Sequence, residues 1–538
     1  MRIYVVRAVR LCLLLVLGAV ADFAAADFPA LARDQTGDQL MKLMKRASAE
    51  DMIIEDIRVR TRAGRVLYNA TFQRNVDGAA WVFLINISRA RLDSAEREYV
   101  EKGYQNAVLR SVSAGGKRSY TAVWVRRKQE PQPLVLPTGA VPVSGVAGRG
   151  TQPLDKMMTA FVREHNVAGA TVAVAKDGEL VYSRGFGYSD VNARQQMKPA
   201  AVMRIASVSK PITSVAVMML IQQQQLTLYT RVMPLLRQAG FPKPTADERW
   251  GDVTVGQLLH HTGGWDRAVG KDPMFQVVEA TRDRKLKKPA RQADIVRWKL
   301  GHTLEFDPGE KYAYSNFGYC LLGRVVAVVT KQRYSDWVAE NILEPLGMKD
   351  TRLGKTQLSD RGPTEVRYHM QKMTNHSPFW ASLPSNSRGR FPEVSSFIEE
   401  PYGRWDLEVM DSHGGWVSSA PDLLRFVAGL DSAEAPLLNT ASRKAMLSTP
   451  AFRKNRRGGY WYGCGWSVRP KGDEQRGLDG HNIWHNGALA GTSALLVRRY
   501  DGFSWAVLFN TDTSSNGERL SGLVDSKMHR AVDSVSTW

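Results

Sequence analysis

A serine followed three residues later by a lysine occurs once in this chain, at Ser207-Val208-Ser209-Lys210. Pro211 lacks an N–H and is tolerated only in the first turn of a helix, so the apolar run from Thr213 to Ile221 must belong to a helix that begins near Ser207. That spacing puts Ser207 and Lys210 on one face at the positive end of the backbone dipole, where a buried lysine gives up its proton readily. A neutral amine beside a hydroxyl is an activated nucleophile pair, suited to attack on a carbonyl. Tyr314-Ser315-Asn316 supplies a partner. It opens the apolar stretch Phe317 to Val329 behind the loop Asp307-Pro308-Gly309-Glu310, and a tyrosine so placed can move protons if cations depress its pKa. The third piece is His485-Asn486-Gly487, read as a loop leading into a terminal hairpin whose backbone N–H groups can face a substrate carbonyl. Three segments of similar form are set aside. Tyr104-Gln105-Asn106 precedes the serine and belongs to a repeat, while His261-Thr262-Gly263 and His413-Gly414-Gly415 are read as entering no alternating strand.

Elements from both ends of a large region must position these groups. Ala170–Ala175 and Leu180–Arg184 flank an Asp177-Gly178 turn, and Leu489–Val497 and Phe503–Phe509 flank Arg498–Gly502, so two hairpins bracket a mostly helical middle. That pattern predicts one sheet assembled from the two ends of one domain. Upstream, Tyr68, Ala70 and Phe72 recur 52 residues later as Tyr120, Ala122 and Trp124, each set following a glycine turn at Ala63-Gly64 or Gly115-Gly116. This is a twofold repeat of a helix plus a hairpin, with Ser94 read as N-cap and Gly103 as stop of the second helix. The stretch from Pro131 to Gly150 is rich in Pro, Gly and Val without periodicity and reads as a linker.

Length and composition bound the rest. The 538 residues suggest roughly three structural units, and 43% apolar with 23% charged residues is the balance of a folded chain, not a disordered one. Arg2, Arg7 and Arg10 precede an apolar run from Leu11 to Ala21 that ends at Ala24-Ala25-Ala26, the pattern of a secretory signal peptide cleaved near Ala26. The run is too short for a stable membrane span, so the expected localisation is export, to a periplasm or the extracellular space. Only Cys320 and Cys464 would remain, both in apolar settings that suit buried free thiols as well as one disulfide. The net charge of +20 raises nucleic-acid binding as a reading, but no zinc-finger spacing or RNA-binding aromatic motif accompanies it, and export argues against it. Adhesion to anionic envelope polymers or plain solubility are the remaining readings of that charge.

Ser-x-x-Lys, Tyr-x-Asn and His-x-Gly in this order, with LLHHTGGWDR, FDPGEKYAYSNFGYCLLG, HGGWVSSAPDLLRF and YGCGW, resemble the serine β-lactamase-related family: class C β-lactamases, D-alanyl-D-alanine carboxypeptidases and related esterases. The resemblance runs from about Leu154 to Thr537. It implies an α/β (α+β) fold of the β-lactamase and penicillin-binding-protein type, an antiparallel sheet flanked by helices plus a helical lobe. Gly103 to Arg127 resembles the tandem-repeat domain that precedes the catalytic domain in polyglycine hydrolases, a small α+β repeat domain. The expected organisation is therefore a signal peptide at 1–26, a repeat domain at 27–130, a linker at 131–150 and a hydrolase domain at 151–538. By resemblance Ser207 is acylated, and Lys210 and Tyr314 handle protons with the base between them left open. Asn316 orients Lys210 or a substrate amide, and His485 bonds Tyr314 or a substrate carboxylate. The N–H groups of Ser207 and Ala488 form the oxyanion hole, and Asn316, His485 and Gly487 bind substrate. No cofactor or metal is implied. His485-Asn486-Gly487 stands where β-lactamases proper carry Lys-Thr/Ser-Gly, which weighs against β-lactam hydrolysis and leaves peptide, amide or ester substrates, including cell-envelope fragments. Two other readings stay open: a non-catalytic binding module of the same fold, and acyl transfer to an acceptor other than water. The insert from Leu353 to Gly403, with Tyr368, Phe379 and Trp380, is read as either a cleft wall or core packing.

Overall fold

The computed structural model describes residue 29 and residues 31–538, apart from 51, 76–78, 127–131, 149, 374, 377–378, 384–386, 388–397, 432–436, 451–458 and 473. The expected signal peptide lies outside the described residues. The chain divides into two compact units, one holding residues 1–131 with 374–399 and the other 132–373 with 400–538.

In the first unit the repeat is visible as strand, helix, strand, strand, twice over. Leu31–Gln35, Gly37–Ala49, Met52–Arg62 and Arg65–Arg74 form one copy, and Ala80–Ile87, Arg89–Glu101, Gln105–Ala114 and Lys117–Arg126 the other. The recurring residues sit on the central strand of each three-stranded sheet, where Tyr68, Ala70, Phe72, Ala122 and Trp124 are buried. Gly64 and Gly116 share a φ of 74°, the left-handed turn conformation that glycine adopts without steric cost. Two details differ from the sequence reading. A leading strand joins each hairpin, and the second helix is capped by Ser88, whose side chain accepts from the Arg91 N–H, so Ser94 lies inside that helix.

The stretch expected as a linker is tied to the second unit. Gln132–Pro133 pairs with Lys372–Met373, and Val143–Ser144 pairs with Gly185 and Phe186. The main sheet runs, edge to edge, through Gln195–Gln196, Glu179–Asp190, Gly169–Lys176, Phe503–Phe509, Thr492–Arg498, His481–Leu489, Ser467–Pro470 and Trp461–Tyr462. Its centre is the antiparallel pairing of Ala170–Lys176 with Phe503–Phe509, which joins the two ends of the domain as the hairpin pattern predicts. Asp177 and Gly178 both take positive φ, the two-residue turn that matches strand twist. Alternate residues Val172, Val174, Leu495, Val497, Trp505, Val507 and Phe509 pack against the terminal helices Gln152–Glu164 and Leu520–Asp533. Helix Ala420–Asp431 packs against the same central strands, Gly169–Lys176 and Phe503–Phe509.

Ser209–Gln222 is a helix buried on nearly every side, from Ser209 through Met218 and at Leu220, which explains why its sequence is apolar without a polar face. It packs beside Asn316–Thr330, and both are capped or entered where the motif residues lie. Cys320 and Cys464 are buried and free. Tyr368 is core: its hydroxyl donates to Glu365 and accepts from the Arg204 N–H, while Phe379 and Trp380 belong to the first unit. Among the described residues no helix is long and apolar enough to cross a membrane.

Candidate active site

Ser207 lies in a single 3-10 turn, Ala206–Val208, that feeds directly into the helix Ser209–Gln222. Ala206 holds φ 47°, a conformation uncommon outside glycine, so the chain turns sharply just before the serine. The turn is pinned from two sides. The Ile205 N–H donates to the Trp416 carbonyl, and the strand His481–Leu489 passes so close that a Cβ on Gly487 would stand 2.1 Å from the Ile205 carbonyl oxygen. Gly487→Ala must therefore push the serine turn away. Overpacking of this kind costs about 1–3 kcal/mol of stability, and a displacement of an ångström costs about 100-fold in rate. Parallel thermal melts and kcat/KM on a small ester check this.

Lys210 is fully buried in the first turn of the helix. Its Nζ lies 3.2 Å from Ser207 Oγ and donates to Asn316 Oδ1 at 2.7 Å and to the His413 carbonyl at 2.7 Å. Burial holds this amine well below the usual lysine range; the Asp272 charge opposes that shift in part, and the smaller effect of the Arg267 charge adds to it. Ser315 caps the helix Asn316–Thr330 by accepting from the Gly318 N–H, which sets Tyr314 just outside the helix and Asn316 just inside it. The Tyr314 ring stands 4.8 Å from Lys210 Nζ, and its hydroxyl hydrogen-bonds with Ser207. The sequence reading made proton transfer by Tyr314 conditional on cations that depress its phenol. Instead burial pushes it above its ordinary value, and the Ser207 hydrogen bond and Arg267 offset only part of that rise.

The structure thus brings Ser207, Lys210, Tyr314 and Asn316 into one hydrogen-bonded group, and places His485 and Gly487 on the adjoining strand. His485 is a strand residue and not part of a loop, because Ile483–Leu489 pairs residue by residue with Thr492–Arg498. Pairing with Ser467–Pro470 stops at Trp484, so from His485 onward that edge of the strand is not paired to Ser467–Pro470; the strand packs beside the serine turn. Ala488 lies on the same segment. His485 does not bond Tyr314. Its Nε2 receives the Tyr462 hydroxyl at 2.9 Å, and its Nδ1 donates to the Asn486 carbonyl at 2.7 Å, which fixes the neutral tautomer. Burial lowers its pKa to about 3. A cleft of about 370 Å³ opens over this group, walled by Arg267, Tyr312, Tyr314, Tyr462, Trp484 and His485. Tyr368 does not line it.

Two of the segments set aside return as supports. His413 contributes its backbone carbonyl to Lys210, and it does lead into a short buried strand, Trp416–Ser418. His261 packs its ring 4.3 Å from that of Tyr314 and accepts from the Ser315 N–H at Nδ1, so it braces the tyrosine from behind. Asp272 was missed altogether: its Oδ2 accepts from Asn316 Nδ2 at 2.7 Å. A backbone carbonyl leaves no side-chain signal, and Asp272-Pro273 reads in sequence as an ordinary turn.

Residues 154–526 match the family described as Beta-lactamase, and residues 78–127 match a polyglycine hydrolase-like structural repeat. Penicillin-binding protein 4* of Bacillus subtilis (strain 168) is 26% identical over 352 residues, covering 65% of this chain and 69% of that protein. Protein flp of Staphylococcus aureus (strain MW2) is 28% identical over 223 residues, 41% of this chain, and the match spans only 42% of that relative's length. Among solved structures, EstCE1, a hydrolase with promiscuous acyltransferase activity, superposes with a TM-score of 0.53 at 21% identity, covering 72% of this chain and 100% of that one. The D-amino acid amidase of Ochrobactrum anthropi SV3, solved with L-phenylalanine amide, gives a TM-score of 0.51 at 20% identity over 72% of this chain and 99% of its own. These last two likenesses establish the fold. With well over half of its length matched, the chain belongs to the beta-lactamase family, a family of serine hydrolases.

Proposed function

We propose that the protein is an exported serine hydrolase that cleaves an amide, peptide or ester bond through an acyl-enzyme on Ser207. The observation that carries this reading is the hydrogen bonding of Lys210. A neutral amine has two N–H donors and one lone pair. The donors are taken by Asn316 Oδ1 and the His413 carbonyl, so the lone pair is left to face Ser207 Oγ. Burial keeps the amine neutral, so Lys210 is the base of the resting enzyme, and burial keeps the Tyr314 phenol beside Ser207 protonated.

In this mechanism Ser207 Oγ attacks the substrate carbonyl as its proton passes to Lys210 Nζ. The Ser207 and Ala488 N–H groups receive the developing oxyanion, a contribution of about 3–4 kcal/mol per donor. The proton then moves from Lys210 by way of Tyr314 to the leaving group, whose departure leaves the acyl-enzyme, and water enters by the reverse route to release the acid. Tyr314→Phe keeps the ring that packs on His261 but removes the relay, and is expected to lower kcat by about 10²–10⁴-fold. Steady-state kinetics with leaving groups of graded basicity check it: the loss should grow as the leaving group becomes more basic.

A neutral His485 in place of the lysine of β-lactamases proper leaves that position without a fixed positive charge, which favours peptide, amide or ester substrates over β-lactams. The repeat unit supports a polymeric or peptide substrate of the kind polyglycine hydrolases take, cell-envelope fragments included. Export rests on residues 1–26. The deciding experiment is intact mass after exposure to a fluorophosphonate. One adduct per chain supports the reading, and no adduct on folded protein transfers the chain to the binding-module reading.

A further inference from the structure

We infer that Asp272 is a positioning residue for this reaction: it locks the Asn316 amide in the one orientation that leaves the Lys210 lone pair to Ser207. The inference rests on the acyl-enzyme reading above and adds a residue to it.

The argument starts from the symmetry of an amide. An asparagine side chain can present either oxygen or NH₂ to a neighbour, and its two neighbours decide which. Here one neighbour is a carboxylate, which when ionised only accepts, so Asn316 turns its Nδ2 toward Asp272 Oδ2 at 2.7 Å. The amide oxygen is thereby forced toward Lys210 Nζ, also at 2.7 Å. With the amide reversed, Nδ2 would donate into the Lys210 lone pair and occupy the electrons that must take the serine proton. The reversed Oδ1 would also face a carboxylate oxygen. Asp272 excludes that state.

The carboxylate acts by charge as well. The charged groups that bear on Lys210 are Asp272 and Arg267, with opposite effects. The imidazoles of His261, His413 and His485 around it are held neutral by burial, and Tyr314 and Tyr319 are held protonated. Asp272 is therefore the group that keeps the Lys210 amine basic enough to serve. Burial raises the Asp272 pKa, and the groups it faces, the Met274 N–H, Asn316, Lys210 and Arg267, pull against that rise; the Met274 N–H bond to Oδ1 at 3.1 Å also caps the short turn Pro273–Phe275. That cap is the competing, purely structural role, and the test must separate the two.

Asn and Ser both serve as caps, so Asp272→Asn and Asp272→Ser keep the turn while removing the acceptor-only charge. The rate of fluorophosphonate labelling is measured against pH for both variants, for Asp272→Glu and for the wild type, with thermal melts alongside. Labelling in the Asn and Ser variants is expected to fall about 10- to 100-fold, the size of loss that removing an outer hydrogen-bond partner causes at metal sites. The acid limb of the profile should move to lower pH, because the charge that raises Lys210 is gone. Asp272→Glu, which keeps an acceptor-only carboxylate, should hold the limb near its wild-type position. A rate loss that follows the melting temperature with an unmoved limb, or profiles that coincide with wild type, overturns the inference. If the wild type itself takes no label at Ser207, the acyl-enzyme reading falls and this inference with it.

Discussion

Ser207→Ala is expected to erase the fluorophosphonate adduct and to lower turnover of a small ester by about 10⁴- to 10⁶-fold, the range seen when a serine nucleophile is removed. The fold should survive it. Lys210 keeps its two carbonyl acceptors when the hydroxyl is lost, so the burial of its amine remains satisfied. The group left without its partner is the Tyr314 hydroxyl, which borders the cleft where water can replace the serine. The residual rate comes from binding and from the backbone donors, which the substitution leaves in place. Intact mass and steady-state kinetics on matched preparations make the comparison. An adduct that persists in the variant would place the nucleophile elsewhere and remove the whole mechanism. A melting temperature that drops steeply would instead assign Ser207 to the architecture of the turn pinned between Trp416 and Gly487.

What could be read from the sequence follows how far apart the cooperating groups lie along the chain. Ser207 and Lys210 share a helical turn, so a spacing and a proline sufficed to pair them, and the helix Ser209–Gln222 begins where Pro211 requires. The twofold repeat was legible because its recurring residues are the buried centre of each small sheet, where packing restricts the choice. The terminal hairpins were legible because alternation and an Asp-Gly turn are local. Loss of legibility begins where function uses the backbone or long-range burial. His413 supports Lys210 through a carbonyl, for which any residue type serves, so its side chain misled. His485 was read as a loop residue because the strand pattern was taken to begin only at Leu489, after Gly487. The structure shows that this glycine is there to let two strands of chain pass, since Ile205 O occupies the space a Cβ would need. The direction of the Tyr314 shift was out of reach for a related reason. Cations were the condition the sequence could pose, whereas the larger influence is burial, here among rings that include His261 and Tyr462.

Lys210→Met is the second large effect, and it should act on rate and stability in opposite senses. Acylation of Ser207 should slow by orders of magnitude, since no other group around the hydroxyl is both uncharged and basic: His485 has its Nε2 engaged by Tyr462, and Tyr314 is protonated. Stability carries the sharper test. The folded protein holds the Lys210 amine neutral over a pH range in which an unfolded lysine, with its ordinary value of 10.5, is protonated. Across that range the unfolded state binds more protons than the folded one, so wild-type stability rises with pH. The slope is about 1.4 kcal/mol per pH unit for one proton, from the depressed folded value up to 10.5. Methionine titrates nowhere. The variant must therefore gain on the wild type as pH is lowered through that window, whatever constant offset comes from orphaning Asn316 Oδ1 and the His413 carbonyl. Denaturant melts of both proteins from pH 6 to pH 10 measure the difference in slope, and parallel slopes would mean that Lys210 is charged in the fold and cannot be the base. A base made by burying an amine is a standing cost to the fold that the nucleophile alone justifies, so a lysine kept at this position by a chain that binds without catalysis would be a liability that methionine relieves.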